Sequence, residues 1–279
     1  KVKHLKTGVS WNYKKSEDSF FDSYFFYQKR DFYSKLPFNF GGVISIDRNY
    51  YGFGSKFTRN KNFENRNNSF VLGIDHLSQS DDRKRFKNNF GIKGDITLSQ
   101  MENFDSTGLY LVNQTTFNTG FLLRYGIRYD INSIGIDSTN KINLDKINPS
   151  LGLSYTINSS DNLFFSFGTS FETPTLNELS NNPDGSGFNK DLNSNNAVNY
   201  EIGWRKSLTN IAFEAVAYIT NSDNEILPYE IEQFPGKNFY RNVGSTLRKG
   251  VELSSTLSFD QGFFSLNYTL SKNRFKDFI

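Results

Sequence analysis

His4 and His76 are the only histidines in this 279-residue sequence, and cysteine is absent. Imidazole acid–base chemistry or a zinc site would need one of these histidines beside partners at matching spacing. No such set surrounds either. The stretch "GIDHLSQSDDRKR" (73–85) puts His76 near Asp81 and Asp82, and reads as the start of a solvated loop. Without cysteine, disulfides, thiol catalysis and cysteine metal sites are excluded. "FGIKGD" (90–95) and "GSGF" (185–188) lack the strand–loop–helix context of a phosphate loop. "NPDGSGFNKDLNS" (182–194) has the wrong ligand spacing for an EF-hand, and turn chemistry accounts for its Gly, Asn and Asp. The sequence therefore predicts no catalytic residue, no metal site and no cofactor. With a formal net charge of +3 it also lacks the basic surplus of a nucleic-acid binder.

What remains is recognition chemistry. "EILPYEIEQFPGKNFYRN" (225–242) concentrates aromatic and charged side chains in one connection. Tyr229, Phe234, Tyr240 and Arg241 are the binding candidates, because loops on a rigid scaffold are where binding residues collect.

The scaffold that holds them alternates with period two. Leu151, Leu153, Tyr155 and Ile157 oppose Gly152, Ser154, Thr156 and Asn158, and Leu163, Phe165 and Phe167 resume after a polar break. The same pattern recurs through Leu5–Tyr13, Tyr51–Phe57, Phe121–Tyr129, Tyr200–Trp204, Ile211–Ile219, Val251–Leu257 and Phe264–Leu270. Each stretch is a strand with one apolar face and one polar face. Residues near 20–30 and 105–117 alternate poorly. The polar parity carries Arg124, Arg128, Asp130, Glu201, Arg205 and Glu252.

Two environments fit such strands: a soluble β-sandwich, or a wide barrel with lipid outside and water inside. Aromatics make up 16% of the chain, with 29 Phe and 15 Tyr, yet the mean hydropathy is −0.57. Both faces are extreme, and Phe and Tyr rather than aliphatics fill the apolar one. No apolar run is long enough for a helical span. Short breaks fall near 14–18, 60–68, 118–120, 158–161, 207–210 and 260–262, and long ones near 31–49, 79–104, 131–148, 172–196 and 222–240. Short turns at one end and long loops at the other are the plan of an outer-membrane barrel. The expectation is an all-β, antiparallel up-and-down transmembrane β-barrel of about twelve strands, each of roughly ten residues. Both ends read as cut from a larger barrel, residues 1–279 forming part of one barrel domain.

At "SFETPTLNEL" (170–179) the sequence resembles the β-barrel region of TonB-dependent outer-membrane receptors. "GIRYD" (126–130) is similar to that family's strand end, and "INPSLGLSYTI" with "NLFFSFGTSFETPTLNEL" to the paired strands before its Pro-Thr-Leu-x-Glu-Leu loop. "NYEIGWR" (199–205) resembles its Glu-x-Gly-x-Arg strand. "YRNVGSTLRKGVELS" supplies Asn242, Gly244, Gly250 and Glu252, and "LNYTLS" follows in the family's order. "DLNSNNAVNYE" departs from the family by lacking a Leu-x-Pro-Glu.

The resemblance implies an active-transport receptor of the Gram-negative outer membrane that imports a scarce ligand, most often a ferric siderophore. Its partners would be that ligand, outer-membrane lipid, and TonB, which is reached through a plug domain that this chain lacks. Residues 172–200 hold no histidine, which disfavours haem as cargo. The polar wall of Arg124, Arg128, Glu201, Arg205 and Glu252 would then face the lumen and the plug, with Glu201, Arg205 and Glu252 in one network. The alternatives are a passive porin-like barrel and a soluble or surface carbohydrate-binding β protein.

Overall fold

The computed structural model describes residues 1–36, 42–136, 140–184 and 187–277. The strands are β1 (Val2–Ser16), β2 (Ser19–Lys35), β3 (Val43–Phe63), β4 (Arg66–Asn89), β5 (Ile92–Phe117) and β6 (Phe121–Ile136). They continue with β7 (Asn140–Thr156), β8 (Asp161–Glu172), β9 (Asn195–Ser207), β10 (Ile211–Tyr229), β11 (Phe239–Phe259) and β12 (Gly262–Asp277). One short helix, α1 (Leu176–Ser180), sits between β8 and β9. All twelve strands form one antiparallel sheet in sequence order, which is the expected up-and-down meander. The poorly alternating stretches near 20–30 and 105–117 are strands too, held by neighbours on both sides.

Register turns the alternation into continuous rows. One row runs Leu123–Leu153–Phe165–Ile202–Ala217–Val251–Leu270 across β6 to β12. The neighbouring row on the opposite face runs Arg124–Gly152–Ser166–Glu201–Tyr218–Gly250–Ser271. The apolar face is bare: Ile202 is 61% exposed, and Val9, Phe53, Leu72, Ile127 and Leu266 are exposed with it. An apolar surface this extensive is a membrane-facing or partner-facing surface, not one that water tolerates. No helix among the described residues is long and apolar enough to cross a membrane.

The sheet curls with its polar face inward. Asn181, just after α1, accepts from Arg85 of β4 at 3.0 Å, and Asn189 donates to the Tyr240 carbonyl of β11 at 3.2 Å. The two asparagines lie close together, because the Asn189 N–H donates to the Leu179 carbonyl. In a flat sheet β4 and β11 would be seven spacings, about 34 Å, apart. Only a curved sheet brings both to one short segment. The small apolar core sits there, with Ile134, Ile136, Leu176, Leu179, Phe188 and Leu192 buried together.

Strand length corrects the sequence reading. The strands run from 12 residues in β8 to 26 in β5, not roughly ten. The long loops expected at 79–104 and 131–148 are mostly strand: β4 and β5 are joined by Phe90 and Gly91 alone. Both residues have positive φ (51° and 87°), which a tight two-residue hairpin requires. Residues 73–85, read as the start of a solvated loop, lie wholly within β4. The ladder persists because polar side chains pair across it, Arg48 with Asp81 and Arg83 with Glu102. At the opposite end the turns are short throughout, such as 17–18, 64–65 and 260–261. Parts of the expected loops 31–49 and 131–148 lie outside the described residues.

Candidate functional site

The inner face carries its chemistry in two tiers. The lower one centres on Arg128, which bridges Asp75 (3.1 Å) and Asp130 (2.8 Å). The Tyr24 hydroxyl donates to Asp75 at 3.2 Å. Around it, inward aromatics lie over glycines of the next strand. Tyr24 covers Gly54, Phe26 covers Gly52, Tyr110 covers Gly73 and Phe164 covers Gly203. A Cβ on Gly73 would sit 2.2 Å from the Tyr110 ring, so the ring is flat only because its neighbour has no side chain. These pairs keep a wall rich in large side chains smooth. A glycine excess on the polar parity was the signal available in the sequence.

Of the expected wall residues, Arg124, Arg128, Glu201, Arg205 and Glu252 all share this inner face by register. They do not form one network. Glu201 accepts from Asn199 at 2.7 Å and Ser166 at 3.3 Å. Arg205 pairs with Glu214 at 3.1 Å and lies over the Phe164 ring. Glu252 is exposed, opposite the uncharged Val216 and Thr269. Arg124 is exposed, opposite Gln114 and Gly152. The sheet spreads these charges along the wall instead of collecting them.

The upper tier lies under α1. The connection after β8 drops onto the inner face, its helix started by a capping box between Thr175 and Glu178. The Ser180 hydroxyl donates to Glu102, a carboxylate that Arg83 holds at 2.8 Å, both fully or nearly fully buried. Asp81, also buried, takes two bonds from Arg48 at 2.8 and 2.6 Å. An opening of about 330 Å³ between wall and connection is lined by Arg48, Gln79, Arg83, Phe104 and residues 173–177. Sequence reasoning named none of Arg48, Asp81, Arg83 and Glu102 as site residues. They pair across neighbouring strands, β3 with β4 and β4 with β5, and a single strand's pattern does not carry that.

Three of the four binding candidates, Tyr229, Phe234 and Arg241, meet at the tip of the β10–β11 hairpin. Tyr229 and Phe234 both pack on Phe239, with ring centroids 6.1 and 5.8 Å away. Arg241 lies over Tyr229, and Lys237 over Phe234 and Phe239. Tyr240 points elsewhere and packs on the core at α1. Phe239 lies fully buried at the centre of the cluster. His76 faces outward in β4, its ring 5.3 Å from Phe53 and its Nδ1 2.9 Å from the Thr107 hydroxyl. Asp81 lies on the inner face, so the two make no common site. Among the described residues no cluster of His, Asp or Glu is arranged to hold a metal.

Residues 2–278 match the model of the TonB dependent receptor-like β-barrel. The chain belongs to that family. Its bare apolar face is therefore the lipid-facing surface of a barrel of the Gram-negative outer membrane, and the aromatics along it suit the interfacial girdles such barrels carry. The chain is similar to the vitamin B12 transporter BtuB of Vibrio vulnificus, 35% identical over 107 residues, or 38% of this chain and 16% of that protein. In fold it resembles the copper transporter OprC (TM-score 0.78, 15% identity, 97% of this chain and 47% of that one). It also resembles the unliganded ferric citrate transporter FecA (TM-score 0.73, 15% identity, 99% and 43%). The ferric yersiniabactin uptake receptor FyuA from Yersinia pestis aligns similarly (TM-score 0.71, 14% identity, 98% and 43%). This TonB-dependent receptor chain thus spans less than half the length of these relatives.

Proposed function

We propose that residues 1–279 are part of the barrel of a receptor that imports a scarce ligand, a ferric siderophore or similar metal complex, energised through TonB. The observation that carries this reading is the two-tier inner wall beneath an infolded connection. A connection pinned over the inner wall at Ser180 and Asn181 gives a receptor a surface on which to hold a ligand before releasing it, and the family match over residues 2–278 favours that use over a passive channel.

In this reading the β10–β11 tip, with Tyr229, Phe234 and Arg241, meets the ligand from outside, with Tyr240 holding the hairpin to the wall. The flat lower tier, from Arg124 and Arg128 to Glu201, Arg205 and Glu252, packs against a plug contributed by another part of the protein. That plug would reach TonB. Relatives that carry ferric citrate, ferric yersiniabactin and copper by name are consistent with a metal complex as cargo.

The test is uptake of radiolabelled iron complexes by cells expressing the full-length receptor, with and without TonB. Accumulation that requires both receptor and TonB is expected. Uptake independent of TonB would make the protein a porin-like channel. A cysteine replacing Gly236 should react with an impermeant maleimide on intact cells, and one replacing Asn210 should not.

A further inference from the structure

Where the outer face leaves the lipid, its charges differ from one side of the sheet to the other. On β2 to β4 the outward residues beyond the apolar belt carry both signs and pair, Lys29 with Asp47 at 3.6 Å and Lys84 with Asp82 at 2.7 Å. On β11 and β12 the cations stand together. Lys249 lies directly opposite Lys272, sharing the outward parity of Val251 and Leu270, and Arg274 follows on the same face. All three are exposed. Among the described residues no carboxylate lies within ion-pair distance of any of them. Lys276 joins them and donates to the Asn221 side chain at 2.6 Å.

Lys249 and Lys272 sit at the edge of the belt. Toward the long-loop end the outward file turns from apolar to polar between Ile131 and Ser133 on β6, Ile219 and Asn221 on β10, and Leu270 and Lys272 on β12. Ile131 lies eight residues beyond Leu123, whose row ends at Leu270. The edge therefore descends across the sheet, as tilted strands require of a level membrane boundary. A trough of about 570 Å³ opens at this edge over residues 218–219, 249–251 and 270–272. The inward Arg248, Glu252, Thr269 and Asn273 would flank an opening on the lumen side, and none of them lines it. It lies on the outer face. Exposed Ile219, Val251 and Leu270 bank it toward the lipid, and the two lysines bank it toward the water.

We propose that Lys249, Lys272 and Arg274 form a binding site for a phosphate-bearing membrane lipid, with an acyl chain of that lipid lying in the trough over Ile219, Val251 and Leu270. Opposed like charges on neighbouring strands cost stability, and a phosphate between them turns that repulsion into attraction. Ammonium and guanidinium groups both suit phosphate oxygens. The surface itself faces lipid, since the chain belongs to a family of outer-membrane barrels, so the anions within reach of a cation at this edge are lipid headgroups. The trough continues the apolar belt, which a free phosphate would not use. The site lies outside the wall and does not depend on what the receptor imports.

The probe is dioleoyl phosphatidic acid, titrated into delipidated full-length receptor in a non-ionic detergent, with occupancy read by native mass spectrometry. Dioleoylglycerol, which has the same chains and no phosphate, is the comparison. Saturable binding of phosphatidic acid over dioleoylglycerol is expected, weakened about tenfold or more in Lys249→Gln/Lys272→Gln. Both lysines are exposed and neither holds a carboxylate, so the double variant should fold. Lys29→Gln/Lys84→Gln removes the same charge from the paired region and should bind like wild type. Equal binding of the two lipids, or equal weakening in both double variants, overturns the site. Displacement of phosphatidic acid by inorganic phosphate at equal concentration would make it a site for the free anion and overturn the lipid assignment.

Discussion

The lower and upper halves of β4 are one strand in two environments. From Phe70 to His76 its outward positions are Phe70, Leu72, Ile74 and His76, and its inward ones include Gly73 and Asp75. From Gln79 to Arg85 both faces are polar, and Asp82 and Lys84 pair outside while Arg83 pairs inside. Below, lipid selects the outer face and alternation is visible in the sequence. Above, no apolar solvent selects anything, and the ladder is held by cross-strand pairs and by α1. The same backbone is therefore specified by its surroundings in one half and by specific partners in the other. Substitutions should fail differently in the two.

The sharpest break is expected in the upper half. Glu102→Ala leaves Arg83 buried without its partner and should cost about 3–5 kcal/mol, measured by urea titration of the refolded full-length barrel. A loss near zero would mean that water reaches this pair and that the connection does not seal it. Next is the lower half, where Phe165→Arg should cost about 2–4 kcal/mol near the bilayer midplane, and Ser166→Arg far less. Equal losses in heat-modifiability for these neighbours would erase the distinction between faces.

A smaller effect tests the smooth wall. Gly73→Val forces the Tyr110 ring off its neighbour, and overpacking of that kind costs about 1–3 kcal/mol; Gly73→Val with Tyr110→Ala should recover most of it. Thr175→Ala removes the α1 cap, worth about 1 kcal/mol, and should speed hydrogen exchange in 173–194 without moving the global transition. Smallest is Asp47→Asn in the solvated Lys29–Asp47 pair at 3.6 Å, where a change of about 0–1 kcal/mol is expected.

This contrast also explains what could be read from the sequence. The lower half was legible: Leu151–Ile157, Leu163–Phe167 and Tyr200–Trp204 alternate because their two faces meet lipid and water, and strand number and direction followed. The upper half was not. "SQSDDRKR" is polar at every position, so nothing in it distinguishes a loop from a strand whose partners lie about twenty residues away in β5. α1 is only five residues long and depends on a capping box and on burial of Leu176 and Leu179, too short for a periodic signal. Of the candidate residues, Tyr229, Phe234 and Arg241 came together because they share one hairpin tip. Tyr240 left them because alternation turns it the other way. The Arg48–Asp81 and Arg83–Glu102 pairs needed register, and no single strand announces register.

The central claim is that one parity of these strands meets lipid and the other the inside of a barrel. Nitroxide scanning of β8 in full-length receptor reconstituted in bilayers tests it most directly, with cysteines placed singly from Leu163 to Gly168. Positions 163, 165 and 167 should be open to oxygen and closed to a water-soluble nickel chelate, with 164, 166 and 168 showing low oxygen accessibility, giving a period of two. Nickel accessibility at 163, 165 and 167, or no alternation at all, would contradict it.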